Sequence, residues 1–342
     1  MKILGIESSC DETAAAVVVD GQEVLSNVVN SQIDIHKAYG GVVPEVAARS
    51  HLEVINPVIN KALEDAGLTW SGIDAIAVTN APGLVGSLLI GTLAARTLAI
   101  LKDKPLYPVH HIKSHIYASF LGGESPTFPI LALVVSGGHT QLILLRSHTN
   151  FEIIGTTRDD AVGEVFDKVA RILGLSYPGG PSISKAALDG DPAKCPLPIA
   201  KLDSPYDFSF SGLKTAVLRS VQSALSLPIS TPSKELAAQL TPKQVADFAA
   251  SFESTAVNTL IEKLSKAHTH YAPKSVVVAG GVAANRLLRT LIEEKFADVR
   301  FAPMEFCTDN AAMVASAGYY QAINSAPADP YDLDVIPHVP IT

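Results

Sequence analysis

Short apolar runs alternate with small-and-polar turns and with longer stretches of helical apolar spacing, the pattern of an α/β protein. Ile3-Leu4-Gly5-Ile6-Glu7 leads through Ser8-Ser9-Cys10-Asp11-Glu12-Thr13 into Ala14-Ala15-Ala16-Val17-Val18-Val19. Much later, Ile130-Leu131-Ala132-Leu133-Val134-Val135 leads through Ser136-Gly137-Gly138-His139-Thr140 into Gln141-Leu142-Ile143-Leu144-Leu145. Each reads as a β-hairpin. The strands are nearly all apolar, as in a sheet covered on both faces. Such a hairpin near the start of each half indicates an internal duplication.

Helices are expected over 44–66, from the Gly-rich turn at 80–87 through Ile100, over 241–267, after Asn285, and over 309–325. The first carries Pro57 as a point of kinking. Thr241 is a plausible N-cap followed by Pro242. Strands are expected at 73–79 and 275–279. A turn-rich linker, Gly122-Gly123-Glu124-Ser125-Pro126, separates the halves.

At 342 residues the chain exceeds one ordinary core, so two domains are expected. Hydrophobic residues make up 47% and charged residues 18%, which describes a folded rather than a disordered chain. The stretch 88–101 contains Arg96 and falls short of a bilayer span, and the apolar start is too short for a signal peptide. Cys10, Cys195 and Cys307 show no CxxC spacing, which fits a reducing cytoplasm. A net charge of −8 argues against a wholesale nucleic-acid binder, without excluding a local basic patch.

The most informative chemistry lies in His110-His111-Ile112-Lys113-Ser114-His115. On a helix, His111 and His115 stack one turn apart, close enough to share a metal ion. A zinc protease would place Glu after the first His as general base, and here that position is Ile112. Two half-buried surface histidines are the alternative. Asp309 would complete a His–His–carboxylate set suited to Zn²⁺ or Fe²⁺, although Thr308 or Asp309 could equally cap the helix that follows. The turn Ser136-Gly137-Gly138-His139-Thr140 either wraps phosphate or is a tight hairpin that needs glycine at positive φ. Gly280 and Gly281 with Asn285 could hold a nucleoside or form an ordinary strand-to-helix turn. Asp160, Glu164 and Asp167 are spaced to share a helix face, a solvated face by default, just before the turn Tyr177-Pro178-Gly179-Gly180-Pro181.

Several motifs occur in order: 7–13, 40–45, Ala81-Pro82-Gly83-Leu84, the His111/His115 pair, 135–140, Phe208-Ser209-Phe210-Ser211-Gly212-Leu213-Lys214, 279–285 and Cys307-Thr308-Asp309-Asn310. Together, from Ile3 to about Ala322, they resemble the TsaD family, the tRNA N6-adenosine threonylcarbamoyltransferases once labelled O-sialoglycoprotein endopeptidases. The resemblance implies an actin-like, Hsp70-like, sugar-kinase-like ATPase fold: two duplicated ribonuclease-H-like domains with a nucleotide cleft between them. It implies an N-terminal domain over 1–125, completed by a C-terminal segment at about 309–342, and a second domain over 126–308.

The resemblance also implies His111, His115 and Asp309 as ligands of one divalent metal, Fe²⁺ first and Zn²⁺ second. It implies Val134, Val135, Ser136, Gly137, Gly138, Asp167, Gly180 and Asn285 around an adenylate. Some relatives carry Asp four residues after the second glycine of the Pro-Gly-Gly turn. Ser184 stands there in this chain, which leaves more of any ribose contact to Asp167. The implied reaction moves a threonylcarbamoyl group from threonylcarbamoyl-AMP to N6 of adenosine 37 in tRNAs reading codons that begin with adenine. Glu12 or Asp11 is a candidate proton acceptor. The implied partners are tRNA, the paralogue TsaB as heterodimer partner and the ATPase TsaE, in the cytoplasm and with no membrane. Basic residues are scattered rather than massed, which fits tRNA binding shared with partners. The rivals are a kinase or chaperone-type ATPase of the same fold and, disfavoured by Ile112, a metalloprotease.

Overall fold

A computed structural model describes residues 1–39 and 41–339; Gly40 of the 40–45 motif and the last residues of the expected 309–342 segment lie outside the described residues. The chain forms two compact units. One comprises Met1–Pro129, Leu145–Glu152 and Arg300–Thr342, the other Ile130–Leu144 and Ile153–Val299.

The first unit is built on a five-stranded sheet of order β3-β2-β1-β4-β5. Its strands are β1 (Lys2–Glu7), β2 (Glu12–Val19), β3 (Glu23–Ser31), β4 (Ala75–Ala81) and β5 (Leu106–His110). β1 and β2 form the expected antiparallel hairpin, with Gly5 opposite Ala16, and β4 joins β1 in parallel. Around the sheet lie α1 (Ile33–Lys37), α2 (Pro44–Asp65), α3 (Val85–Lys102) and α4 (His111–Ala118). α2 runs unbroken through Pro57. Leu4, Ile6, Val17, Ile59, Ile76, Val78 and Ala95 meet in the core beneath α2 and α3.

α3 is long and apolar enough, by composition alone, to cross a membrane. One face is instead packed within the unit: Leu88, Gly91, Ala95 and Ala99 are buried. Arg96 donates to the carbonyls of Pro330 and Tyr331.

The second unit repeats the plan with strand order β10-β9-β6-β7-β8. Its strands are β6 (Ile130–Val135), β7 (Thr140–Ser147), β8 (Asn150–Thr156), β9 (Ser275–Ala279) and β10 (Val299–Phe301). In both sheets the first strand of a hairpin is central, flanked on one side by its hairpin partner and on the other by a parallel strand. That shared order is the duplication the two hairpins predict. The helices are α5 (Val162–Leu173), α6 (Gly179–Ala187), α7 (Ser211–Ala224), α8 (Pro242–Tyr271) and α9 (Arg286–Lys295). Thr241 caps α8 in a full capping box with Gln244.

The last helix, α10 (Ala311–Ala322), belongs to the first unit and lies against β1 and α4. This close approach requires small residues. A side chain on Gly5 would run into the backbone of Ala311 and Ala315, and one on Gly318 into Ala77. The helix cap differs from expectation. Asn310 holds it, accepting from Met313 N at 3.0 Å, because its extended backbone aims the amide oxygen along the helix axis. Neither Thr308 nor Asp309 is the cap, so the Asp309 carboxylate is released from that task.

Candidate functional site

β5 runs directly into α4, so the three histidines of 110–115 take different places: His110 ends the strand, and His111 and His115 lie one turn apart on the helix. His110 caps α4, accepting from Ile112 N at 3.2 Å, and its Nε2 faces the Val339 carbonyl at 3.2 Å. His111 and His115 lie one turn apart on the inner face, both buried, with Nε2 atoms 3.2 Å apart. The start of α10 brings Asp309 Oδ1 to 3.1 Å from His115 Nε2 and 3.5 Å from His111 Nε2. One donor atom from each residue therefore falls within 4.8 Å of the other two. The half-buried surface reading of the histidines does not hold.

The surroundings select which nitrogen points at Asp309. His111 Nδ1 faces Glu7 Oε2 at 3.3 Å and Ser9 Oγ at 3.1 Å. A carboxylate on Nδ1 holds the proton there and leaves the Nε2 lone pair for a ligand. His115 Nδ1 is buried with no hydrogen-bond partner among the described residues, so its interactions run through Nε2. Glu7 is fixed in turn, accepting from Ser9 N at 2.6 Å and from Thr79 Oγ1 at 2.7 Å.

Charge explains why this cluster suits a cation. Burial works against ionisation of Glu7, yet His111 and the bond from Thr79 hold its carboxyl below the usual range. Burial likewise opposes charging His111, but Asp309 and Glu7 outweigh it and push its pKa up to about 9. Two carboxylates thus call for positive charge at the two imidazoles. A divalent ion fits the donor set: two imidazole nitrogens and a carboxylate oxygen suit Fe²⁺ or Zn²⁺ and leave positions open for a substrate.

Asp11 and Glu12 lead into β2 in the same unit. Burial, followed by the charges of Asp309 and Asp11, pushes the Glu12 carboxyl up to about 10. Ser31 Oγ donates to it at 3.1 Å. A carboxyl held protonated gives a proton more readily than it takes one, so the proton-acceptor role requires that the charge of Asp309 be offset.

The residues expected around an adenylate fall in the second unit. Val134 and Val135 are fully buried strand residues, so only their backbone can reach a ligand. The Ser136-Gly137-Gly138 turn is closed by Ser136 N donating to His139 O at 2.8 Å. Gly137 and Gly138 do not adopt positive φ, which removes the strained-turn reading, and open space lies where their side chains would be. Beside this turn the geometry demands glycine at Gly163, at the start of α5, which donates to Ser136 O at 3.3 Å and has no room for a side chain, and at Gly280, at φ 91° against the Val135 backbone.

Asp167 on α5 accepts from Gly179 N at 2.6 Å and so fixes the start of α6 beside Gly180, whose surroundings are open. Burial raises its pKa, partly offset by that bond. Asp160 does not share a face with Asp167. It lies in the turn before α5, bound to Lys168 at 2.9 Å and Lys214 at 3.0 Å. Asp159 accepts from Ser209, Ser211 and Phe210 N, so the Phe208–Lys214 motif anchors α7. Asn285 caps α9 through Leu288 N at 2.9 Å, while its amide nitrogen donates to Ser184 and Glu253.

Glu7, Ser9, Thr79 and Glu253 escaped the sequence reading. For Glu7 a signal existed, an acid closing an otherwise apolar strand. For Glu253, inside a long amphipathic helix, there was none.

Residues 23–316 match the family model described as TsaD, tRNA N6-adenosine threonylcarbamoyltransferase. A protein of that name from Thermomicrobium roseum is 51% identical over 355 residues, covering 100% of this chain and 97% of its own. Its namesake from Bacillus subtilis is 49% identical, covering 100% and 96%. In fold, HypF from T. kodakarensis superposes with a TM-score of 0.64 at 15% identity, over 94% of this chain and 48% of that one. Component A of the Acidaminococcus fermentans (R)-2-hydroxyglutaryl-CoA dehydratase gives 0.52 at 18% identity, over 94% and 99%. These structures show the shared actin-like ATPase architecture. With a match across nearly its whole length and half its residues identical to those relatives, the chain belongs to the TsaD family of tRNA N6-adenosine threonylcarbamoyltransferases.

Proposed function

We propose that this chain transfers the threonylcarbamoyl group of threonylcarbamoyl-AMP to the N6 amine of adenosine 37 in tRNAs that read codons beginning with adenine. The observation that carries the reading is the cluster of buried His111 and His115 with half-buried Asp309 in a chain of this family. In the reaction, N6 attacks the carbamoyl carbon, the bond from that carbon to the phosphate oxygen breaks, AMP departs and N6 gives up a proton. An aromatic amine is a weak nucleophile, so the carbonyl must be polarised and the leaving phosphate stabilised. A divalent ion, Fe²⁺ or Zn²⁺, held by His111, His115 and Asp309 would supply that Lewis acidity.

The chain's own residues do the rest. Glu7 and Ser9 orient His111, and Gly137 and Gly138, with open space beside them, offer backbone N–H groups to phosphate. Asp167 sets Gly180 against the nucleoside. Asp11 or Glu12 takes the N6 proton once the charge of Asp309 is offset.

TsaB is the heterodimer partner in this reading and TsaE a further component, all in the cytoplasm. The support is an exposed apolar row on α3. Val85, Leu89 and Leu93 are four apart and solvent-facing, the form an interface helix takes. A chain of net charge −8 would then share its tRNA phosphate contacts with that partner.

The test is incubation with threonine, bicarbonate, ATP, tRNA, TsaB, TsaE and the adenylate-forming enzyme, followed by mass analysis of the nucleosides. Appearance of threonylcarbamoyladenosine only when this chain is present is the expected result. Its absence in the complete mixture, with ATP turned over by this chain alone, would instead support the ATPase reading.

A further inference from the structure

A cavity of about 600 Å³ in the second unit is walled by Pro181, Ser184, Leu188, Glu253, Arg286 and Leu287, among others. It begins at Pro181, the residue after Gly180, is the size of a nucleoside site, and has Lys185, Ser254 and Thr290 among its further polar lining. Glu253, on α8, is 7% exposed. Its Oε1 accepts from Ser184 Oγ at 2.6 Å and from Asn285 Nδ2 at 2.7 Å, and Asn285 Nδ2 also reaches Ser184 Oγ at 3.1 Å. Both donors are neutral and both meet the same oxygen.

A carboxylate accepts about four hydrogen bonds over its two oxygens, and a buried one is costly unless those are made. Two neutral donors on Oε1 leave Oε2 without a hydrogen-bond partner among the described residues, yet not sealed away from the cavity. If Glu253 served only to tie α8 to α6 and α9, an uncharged acceptor would suffice. The arrangement instead holds a carboxyl group, with one oxygen left for a ligand, rigidly in the wall of a nucleoside-sized space.

The geometry points to Glu253 as a nucleoside-binding residue whose Oε2 accepts a hydrogen bond from a ribose hydroxyl of the adenylate, with Ser184 and Asn285 as positioning residues. This rests on the adenylate-site reading and deepens it. Asn285 acts through Glu253 rather than on the ligand, since its amide is already committed. An acid at position 184 would face Glu253 at hydrogen-bonding distance, carboxylate against carboxylate. Ser184 is therefore the complement of Glu253, a hydroxyl donor facing its carboxyl oxygen.

The experiment is calorimetric titration of the full chain with AMP, 2′-deoxy-AMP and 3′-deoxy-AMP, with melting curves for every variant. A site built to bind a hydroxyl rejects the analogue that lacks it. Wild-type protein is expected to bind one of the two deoxy analogues about tenfold more weakly than AMP, and Glu253→Gln to reduce that penalty to about twofold or less. Ser184→Asp should lose about tenfold in AMP affinity, and adding Glu253→Gln should restore it.

Full discrimination retained in Glu253→Gln would overturn the assignment. So would AMP binding by Ser184→Asp that equals or exceeds wild type, because residue 184 could then carry the contact itself. Ser184→Asp by itself keeps the test decisive if the melting curve shows that Glu253→Gln is unfolded. Wild-type protein that binds no AMP would remove the adenylate site itself, whereas AMP binding without discrimination would remove only the role of Glu253.

Discussion

Glu7 Oε2 lies 3.3 Å from His111 Nδ1, joining the end of the first strand to the first residue of α4 across 104 positions of sequence. Thr79 and the backbone of Ser9 hold the carboxylate in place, so the imidazole is locked with Nε2 toward Asp309. Partners of this kind raise ligand basicity and typically contribute 10- to 100-fold in metal affinity. Glu7→Gln is expected to weaken Fe²⁺ or Zn²⁺ binding by about that factor without loss of fold. Competition against a chelator of known affinity measures it, and an unchanged constant would reduce Glu7 to a structural residue.

The three histidines should separate cleanly. His111→Ala or His115→Ala should abolish stoichiometric metal and with it transfer, because two remaining ligands hold an ion poorly. His110→Ala should keep the metal but lose a helix cap, at about 0.5–2 kcal/mol of stability. Elemental analysis and denaturant melts of the three variants provide the comparison. Metal lost from His110→Ala as from His111→Ala would mean the wrong ligand was chosen.

Glu12 predicts a pH effect on the metal-free chain. Its carboxyl titrates near 4.5 when unfolded and about 10 when folded. A raised folded pKa gives stability that is fully present below the unfolded value and is lost as pH rises toward the folded one. Glu12→Gln mimics the protonated form at every pH. It should therefore be more stable than wild type at pH 7, by on the order of 3 kcal/mol, with the gap closing toward pH 4. Urea titrations across that range check the sign, and a gap that widens on acidification would contradict it.

Asp167→Ala should weaken AMP binding roughly ten- to a hundredfold while costing little stability. The loss would come from freeing Gly179 N and the start of α6 as well as from any direct contact. If the melting temperature collapses and AMP affinity holds, Asp167 is only a strut between α5 and α6.

Leu93→Glu on the exposed row of α3 should prevent co-elution with TsaB and leave metal content untouched. The isolated chain should bind tRNA weakly and with a shallow salt slope, both increasing when TsaB is added to wild type but not to the variant. Tight, steeply salt-dependent binding by the isolated chain would show a basic groove of its own.

By itself the sequence determined whatever depends on near neighbours. Strand alternation, turn glycines and helical spacing are local, so both hairpins, the duplication and the one-turn stacking of His111 over His115 were legible. The ordered motifs were enough to place the family. Tertiary structure decided what converges from a distance. Asp309 became a partner of the histidines because Asn310 took the cap and because Gly5 lets α10 settle against β1. Asp160 left the acidic face because α5 starts two residues after it. Asn285 turned inward to Glu253, whose place on a long helix carried no mark of its own. Burial and charge pairing depend on which segments pack together, and no local spacing encodes that.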